Sequence, residues 1–215
     1  TVLEVNGSFK AGGLAYPTSD GSANQVLKTD GSGTLSFVDQ SGGGGGGGAS
    51  AINDLSDAKT NNSGQTIGIG TNALEDDDGT NANTAVGYEA LKDATTASNT
   101  VGIGYQAGKS ITSGQHNSAV GTQALESVTT THQNLAFGGF AAQYTTGSDN
   151  CAFGYKAYNG TSGQTNGSDN CAFGTKTLDN ATSCSGVVAV GQKAGVTITS
   201  GSNNTIVGNE AGSSS

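Results

Sequence analysis

Several residue types are scarce or missing in this chain of 215 residues. It has no Met and no Trp, one Pro, three Cys and only 12% charged residues. Without Met at any position, we expect the sequence to be a fragment or a processed product of a longer one. Three cysteines are a poor basis for a disulfide framework. No apolar run approaches the roughly 20 residues that span a bilayer, so we expect no membrane insertion.

Positive charge is also scarce. Eight positive residues, all Lys, stand against 17 acidic ones, which gives a net charge of -9. Such a surface repels phosphate backbones and anionic lipids, so we expect neither nucleic acid nor an anionic membrane as a partner. Glycine is abundant, with 37 residues. Together with Ser, Thr and Asn, this composition would indicate disorder in the absence of a repeat.

A repeat does organise the chain from about residue 65 onward, and its clearest copy is NTAVGYEAL at residues 83–91. When the last glycine of each copy is taken as an anchor, successive anchors lie 17, 17, 17, 17, 16, 20, 17 and 17 residues apart. This register indicates one supersecondary unit stacked along an axis. The nine anchors are Gly70, Gly87, Gly104, Gly121, Gly138, Gly154, Gly174, Gly191 and Gly208.

The columns of the repeat predict an all-β fold, a parallel β-roll or β-solenoid with coils of about 17 residues. Each copy has a short β-prone run with one large apolar residue before the anchor, and only stacking like on like can bury so short a run. One large residue per strand makes a thin core, so we expect further apolar burial between identical chains. The predicted repeat core is Ile69, Val86, Ile103, Val120, Phe137, Phe153, Phe173, Val190 and Val207.

The copies NTVGIG at 99–104, NSAVG at 117–121 and NTIVG at 204–208 resemble the head repeat of trimeric autotransporter adhesins. The same NTAVGYxAL-type repeat occurs in bacteriophage tail fibres and related virion appendages. The resemblance covers roughly the last two thirds of the chain. It implies a left-handed parallel β-roll, with three rolls packed into a homotrimeric fibre. Coils here are longer than those typical of the adhesin heads, so the loops are expected to project further.

The first part of the chain predicts a β-hairpin module over residues 1–40. We expect two short strands in 1–10 around an Asn-Gly turn, then a hairpin of strands 25–29 and 34–38 around the turn at 30–33. The segment YPTSDGSANQVLKTDGSGTLSF at 16–37 resembles a small module of phage tail fibres, which favours a virion over a bacterial surface.

Two short segments separate this module from the repeat domain, which is predicted over residues 65–215. Residues 41–50 contain seven consecutive glycines and are predicted to be a flexible linker. A close passage of three chains on a trimer axis is the alternative, because only glycine fits near a crowded centre. Residues 51–64 are a connector, with one short helix or turn expected over 51–59.

Motifs that suggest chemistry each have a plainer explanation. GIGYQA at 102–107 matches a dinucleotide pattern loosely, but it is one repeat copy with no helix after it. The acidic run at 75–79 suits a solvated loop better than a Ca²⁺ site. Asp149 and Asp169 hold equivalent turn positions, where a carboxylate pair for acid–base work is conceivable. His116 and His132 lie in successive turns, and in a trimer each would offer three metal ligands. We predict no enzyme activity, no cofactor and no metal.

Cysteine and tyrosine columns leave alternatives open. Cys151 and Cys171 occupy the same column of adjacent copies, so their Cα atoms are expected within about 5 Å, inside the disulfide range. Side chains of one column point the same way, which favours two half-buried thiols over a bridge. Tyr88, Tyr105 and Tyr155 follow their anchors directly. They could form an aromatic face for sugars or proteins, or pack against a neighbouring subunit.

These observations predict a structural and adhesive segment of a homotrimeric viral tail fibre or virion appendage. Its expected partners are two further copies of itself, other virion proteins and a host-surface receptor. The first alternative is the head of a bacterial trimeric adhesin at the cell surface. The second is a β-solenoid tailspike depolymerase, which requires a groove with paired carboxylates.

Overall fold

The structure is a computed structural model, and it describes residues 9–17, 21–22, 25–39, 58–60, 65–79, 81–163 and 167–213. The chain divides into two compact units, Thr1–Asp54 and Leu55–Ser215. The described residues form strands, bends and turns and no helix. Nothing in these ranges therefore has the helical length and apolarity that crossing a membrane requires.

The first unit contains two small antiparallel pairs. Strands β1 (Lys10–Ala11) and β2 (Leu14–Ala15) pair with each other, and β3 (Gln25–Thr29) pairs with β4 (Leu35–Asp39). The second pair is the predicted hairpin, which is confirmed. Its turn is held by the Asp30 carboxylate, which accepts hydrogen bonds from the backbone N–H groups of Ser32 (2.7 Å) and Thr34 (3.0 Å). The turn predicted within residues 1–8 lies outside the described residues.

The second unit is a solenoid built on one ten-stranded sheet. Nine strands run parallel and in register, one per repeat copy, so the nine copies enclose about eight turns. The tenth strand, β5, pairs antiparallel with β6 at the start of the stack. The strands are β5 (Ala58–Thr60), β6 (Ile67–Ile69), β7 (Thr84–Val86), β8 (Val101–Ile103), β9 (Ser118–Val120), β10 (Leu135–Phe137), β11 (Cys151–Phe153), β12 (Cys171–Phe173), β13 (Val188–Val190) and β14 (Thr205–Val207).

Strand β5 changes the expected domain limits. The sequence predicts a connector over 51–64 with a helix or turn at 51–59, but residues 58–60 are a strand of the sheet. Lys59 in this strand also closes the first coil, because its ammonium group donates to the carbonyl oxygens of Leu74 (2.7 Å) and Asp77 (2.8 Å). The rest of the connector that precedes this strand, and the polyglycine stretch at 41–50, lie outside the described residues.

Small residues fill the side of the coil that lies under the sheet. Each strand has three residues, and the middle one points inward, as in Ala85, Ala119 and Ala136, all fully buried. The wall opposite the sheet contributes a second alanine three positions after the anchor and a larger residue four positions after it. Those larger buried residues are Leu74, Leu91, Leu125, Tyr158 and Leu178.

Neighbouring positions compensate each other where a coil lacks the large residue. Gly108 stands where other coils have leucine, and a Cβ there would lie 2.7 Å from Leu91 Cδ2 and 3.0 Å from Ile111 Cδ1. Ile111, fully buried, occupies the space instead. In this coil, Ile111 thus fills part of the space that a leucine side chain fills in other coils, as close packing requires.

The anchor glycines mark the bend after each strand. All nine have φ between 120° and 139°, a region that residues with a Cβ rarely adopt. Successive anchors also stack backbone on backbone, since a Cβ built on Gly87 would lie 2.4 Å from the carbonyl oxygen of Gly104. Glycine is required here by both the torsion angle and the close approach.

The apolar column before each anchor does not fill the coil, which corrects the prediction. In this chain Ile69 and Val120 are half-buried, and the others are exposed, from 36% for Val190 to 67% for Val207. The reason is the two-residue period of a strand, which turns the residue before the anchor away from the buried alanine. The predicted core residues Ile69, Val86, Ile103, Val120, Phe137, Phe153, Phe173, Val190 and Val207 therefore line the outside of the sheet.

Candidate functional site

The outward side of the sheet is an uncharged and mostly apolar surface, which we call the outer apolar face. It consists of the first and third residues of strands β6 to β14. At about 4.8 Å between strands, the nine strands extend for about 40 Å. None of the eighteen side chains is charged. Beside the nine residues that precede the anchors, the face contains Ile67, Thr84, Val101, Ser118, Leu135, Cys151, Cys171, Val188 and Thr205.

Stacked phenylalanines form the centre of the outer apolar face. The ring centroids of Phe137 and Phe153 lie 4.9 Å apart with 6° between the ring planes, and those of Phe153 and Phe173 lie 4.9 Å apart with 8°. The three side chains are 46%, 39% and 51% exposed. Leu135 and Val188, each 41% exposed, extend the patch. Contiguous apolar surface of this kind marks a contact site on a soluble protein.

A buried row of asparagines holds the strands that carry this face. Asn83, Asn117, Asn134, Asn150 and Asn170 directly precede their strands and are at most 2% exposed. Each side-chain Oδ1 accepts the backbone N–H of the equivalent residue one coil further on, at 3.0 to 3.1 Å. We call this row the asparagine ladder. It satisfies buried backbone groups between coils, and the sequence reasoning missed it because asparagine also suits exposed turns.

The tyrosines form two separate clusters. Tyr88 and Tyr105 stack with centroids 5.4 Å apart and 11° between the ring planes, and they are 44% and 49% exposed. Tyr155, 47% exposed, instead meets Phe140 edge to face at 5.8 Å. Because stacked rings cover one another's faces, Tyr88 and Tyr105 present mainly edges and hydroxyl groups. All three predicted tyrosines are exposed, and whether they contact a ligand or a neighbouring subunit stays a prediction.

A charged network lies beside the first tyrosine pair. The Glu89 carboxylate accepts hydrogen bonds from Lys109 Nζ (2.6 Å) and Gln106 Nε2 (2.8 Å). The lysine first and the glutamine second lower the pKa of Glu89 to about 2. Gln123 donates in turn to Gln106 at 3.1 Å. These contacts tie three successive coils together.

The acidic residues and histidines singled out in the sequence occupy turns. Asp149 and Asp169 are exposed, with φ of 60° and 61°. In the acidic run, Asp77 is buried and accepts from Asn83 Nδ2 at 2.8 Å, so its carboxylate shapes the loop. His132 Nδ1 accepts the backbone N–H of Gln115 at 2.9 Å. Within the described ranges no three His, Cys, Asp or Glu side chains group as metal ligands would.

The cysteines match the prediction of half-buried thiols. Cys151 and Cys171 are in-register partners of strands β11 and β12, and both are free and partly buried. Burial, and then the neighbouring Cys171 thiol, raises the pKa of the Cys151 thiol. Cys184 is fully buried inside the solenoid.

The described part of the solenoid thus exposes one long, uncharged and mostly apolar face. The Glu89 network and the clusters around Tyr88 and Tyr155 lie outside this face, on residues that follow the strands. Comparison of this chain with protein-family models, with curated proteins and with solved structures gives no match.

Proposed function

We propose that this chain is a structural segment of a fibre that forms when identical chains associate through the outer apolar face. The observation that carries the proposal is the stack of Phe137, Phe153 and Phe173, exposed at the centre of an uncharged surface about 40 Å long. A surface of this kind is covered by a partner in a stable soluble protein.

A second copy is the partner that fits best. The face runs the whole length of the solenoid, so a partner must present an equally long, regular and apolar surface. Another copy does so with the same spacing between strands. Three copies around one axis cover all three faces at once, and closed cyclic symmetry of this kind is common in homo-oligomers. The resemblance to trimeric adhesin heads and phage tail fibres supports three rather than two.

The role of the fibre is host attachment on a virion appendage. Its support is the resemblance of both the repeat and the hairpin module to phage tail fibres. Stacked coils give stiffness, because each coil is hydrogen-bonded to the next, and three copies would multiply weak surface contacts. The turns and the Tyr88, Tyr105 and Tyr155 side chains are the groups left to meet other virion proteins or a host receptor.

The mass of the native particle tests the assembly. Light scattering after size exclusion should give three times 21.0 kDa, about 63 kDa. Phe153→Asp should reduce the mass to that of one chain while the circular dichroism spectrum stays β-rich. Tyr155→Asp is the matched control, because Tyr155 is similarly exposed but lies off the outer apolar face. A folded monomer in the unaltered chain would overturn the proposal.

Location needs a separate experiment. Gold-labelled antibodies against this chain should decorate appendages of virus particles in electron micrographs. Labelling of a bacterial envelope would instead favour the head of a surface adhesin. A depolymerase would reveal itself by turnover of polysaccharide, and Asp149→Asn with Asp169→Asn would abolish that turnover if the exposed carboxylates carried it.

A further inference from the structure

Two cysteines on neighbouring coils form a pair that neither the fold nor the proposed function requires. We propose that Cys151 and Cys171 are a reversible dithiol site, which closes to a disulfide within one chain when it meets a small-molecule disulfide such as oxidised glutathione. The bond would tie together the two coils that flank the longest turn of the solenoid. Both side chains lie on the outer apolar face, so the exchange requires that this oxidant reaches the face in the native protein.

The register of the sheet brings the two residues together. Cys151 and Cys171 are Cα partners in adjacent parallel strands, and such strands lie about 4.8 Å apart. Two residues further along the same strands, the Phe153 and Phe173 rings stack at 4.9 Å with 8° between their planes. Side chains of the outer apolar face therefore stand parallel at the strand spacing here. That spacing falls inside the 4.4 to 6.8 Å of Cα separation found for disulfides.

The same geometry makes the bond easy to reduce. A relaxed disulfide has Cβ atoms about 3.8 Å apart, whereas parallel side chains keep them near the strand spacing. Closing the bond therefore draws the two coils together by about 1 Å at this point. Strained disulfides have more oxidising potentials and exchange readily with thiols. The pair is thus suited to reversible closure and not to a permanent crosslink.

The position of the pair gives the closure a structural effect. The anchors Gly154 and Gly174 are 20 residues apart, the longest spacing in the repeat. The disulfide would close a loop around this long coil, which also contains the buried Tyr158. Loop closure restricts the unfolded chain, so the oxidised protein should unfold at a higher temperature than the reduced one.

The chemistry is ordinary thiol–disulfide exchange. One cysteine thiolate attacks a sulfur of the oxidant, forming a mixed disulfide and releasing one thiol after protonation. The second cysteine thiolate then attacks the protein sulfur of that mixed disulfide, forming the Cys151–Cys171 bond and releasing the second thiol. Two electrons and two protons pass from the protein to the oxidant, which is reduced to two thiols.

The sequence contains useful internal controls. Cys184 is fully buried, so it should not exchange in the folded protein. Trypsin cleaves after lysine, and the lysines at 109, 156, 176 and 193 place the three cysteines in three different peptides, 110–156, 157–176 and 177–193. Every possible pairing therefore gives a distinct mass.

The experiment equilibrates the native full-length chain with mixtures of reduced and oxidised glutathione, stops exchange with acid, and alkylates the remaining thiols after denaturation. We expect a loss of two hydrogen masses, a linked pair of peptides 110–156 and 157–176, a higher melting temperature, and full reversal by reductant. Cys171→Ser should remove the linked pair, and Cys184→Ala should retain it.

Three results would overturn the proposal. The first is that Cys151 and Cys171 stay reduced in every mixture and are both alkylated after denaturation. This result counts against the proposal whether or not small reagents reach the two thiols in the native state. The second is a link that involves Cys184. The third is a link between chains, which a mixture of ¹⁴N- and ¹⁵N-labelled protein would reveal as peptide pairs of mixed isotope content.

Discussion

Replacing one asparagine of the ladder tests whether buried amides hold the coils together. Asn134 is 2% exposed, and its Oδ1 accepts both the backbone N–H (3.1 Å) and the Nδ2 (3.2 Å) of Asn150. Its own Nδ2 donates to Thr131 Oγ1 at 3.1 Å and to Asn117 Oδ1 at 3.3 Å. The change Asn134→Ala removes all four contacts and leaves the backbone in place.

The size of the effect follows from what is left without a partner. The backbone N–H of Asn150 loses its acceptor in a buried position, which costs about 1 to 3 kcal/mol. The Nδ2 of Asn150 keeps its bond to the carbonyl oxygen of Gly167 at 3.2 Å, so it adds little. The two bonds donated by Asn134 contribute about 0.5 to 1.5 kcal/mol each, net of water. We expect the free energy of unfolding to fall by about 3 kcal/mol.

Urea unfolding followed by far-ultraviolet circular dichroism measures this loss, at several chain concentrations because association would add to stability. Asn204→Ala is the matched control, since Asn204 holds the same column in the last coil but is exposed. We expect it to change the free energy by no more than about 0.5 kcal/mol. Equal midpoints for the two variants would refute the reasoning, because burial of the ladder would then contribute nothing.

Three further changes probe other contacts. Gly121→Ala should lower the free energy of unfolding by about 3 kcal/mol or more, because φ is 129° and the added Cβ would lie 2.6 Å from the carbonyl carbon of Gly138. Gly163→Ala is the control, because the space around Gly163 is open, and it should cost about 1 kcal/mol in the same urea assay. Glu89 should titrate at about 2 by carboxyl NMR, so its stabilising contribution is present above pH 4.5 and is lost as the pH falls through 2. Lys109→Met should raise that pKa, and a midpoint near 4 in the unaltered protein would contradict the network. Tyr158→Phe removes a hydroxyl group that donates to the carbonyl oxygen of Gly167 at 2.9 Å and accepts from Asn170 Nδ2 at 2.8 Å. We expect the free energy of unfolding to fall by about 1 to 2 kcal/mol, and an unchanged urea midpoint would contradict this expectation.

The spacing of the anchors predicted the strands and their parallel stacking. A repeat reports the fold because every copy must solve the same packing problem, and Gly87 or Gly104 can be recognised as a bend from sequence alone. The hairpin of β3 and β4 was predictable for a local reason, since Asp30 and the glycines after it specify a tight turn. These features depend on neighbours in sequence.

Which side of the strand faces inward was not predicted, because a strand of three residues offers two faces. The sequence predicts large residues such as Phe153 as the core, whereas the structure buries the middle residue of each strand, such as Ala152. The space inside the coil is narrow, so eight of the nine middle residues are Gly or Ala and only the last, Ile206, is larger. The small size of that column was the available signal.

Other features depend on contacts between coils. The asparagine ladder uses a residue that turns also favour, so Asn134 and Asn150 looked like loop residues. Their constant place just before each strand was the signal that distinguished them. The sequence could not predict that Ile111 fills the space beside Gly108, because that depends on which side chains meet across the interior of the coil.

The coil-by-coil register also determines how the solenoid would respond to a pulling force. Force along the stack acts on all the hydrogen bonds between two coils together, so a coil is released as one unit. A released coil of 17 residues adds roughly 55 Å of extended chain, and the coil of 20 residues adds roughly 65 Å. A closed Cys151–Cys171 bond would remove the longer step alone. The redox state of two thiols would then be readable as the length of chain that the solenoid can release under tension.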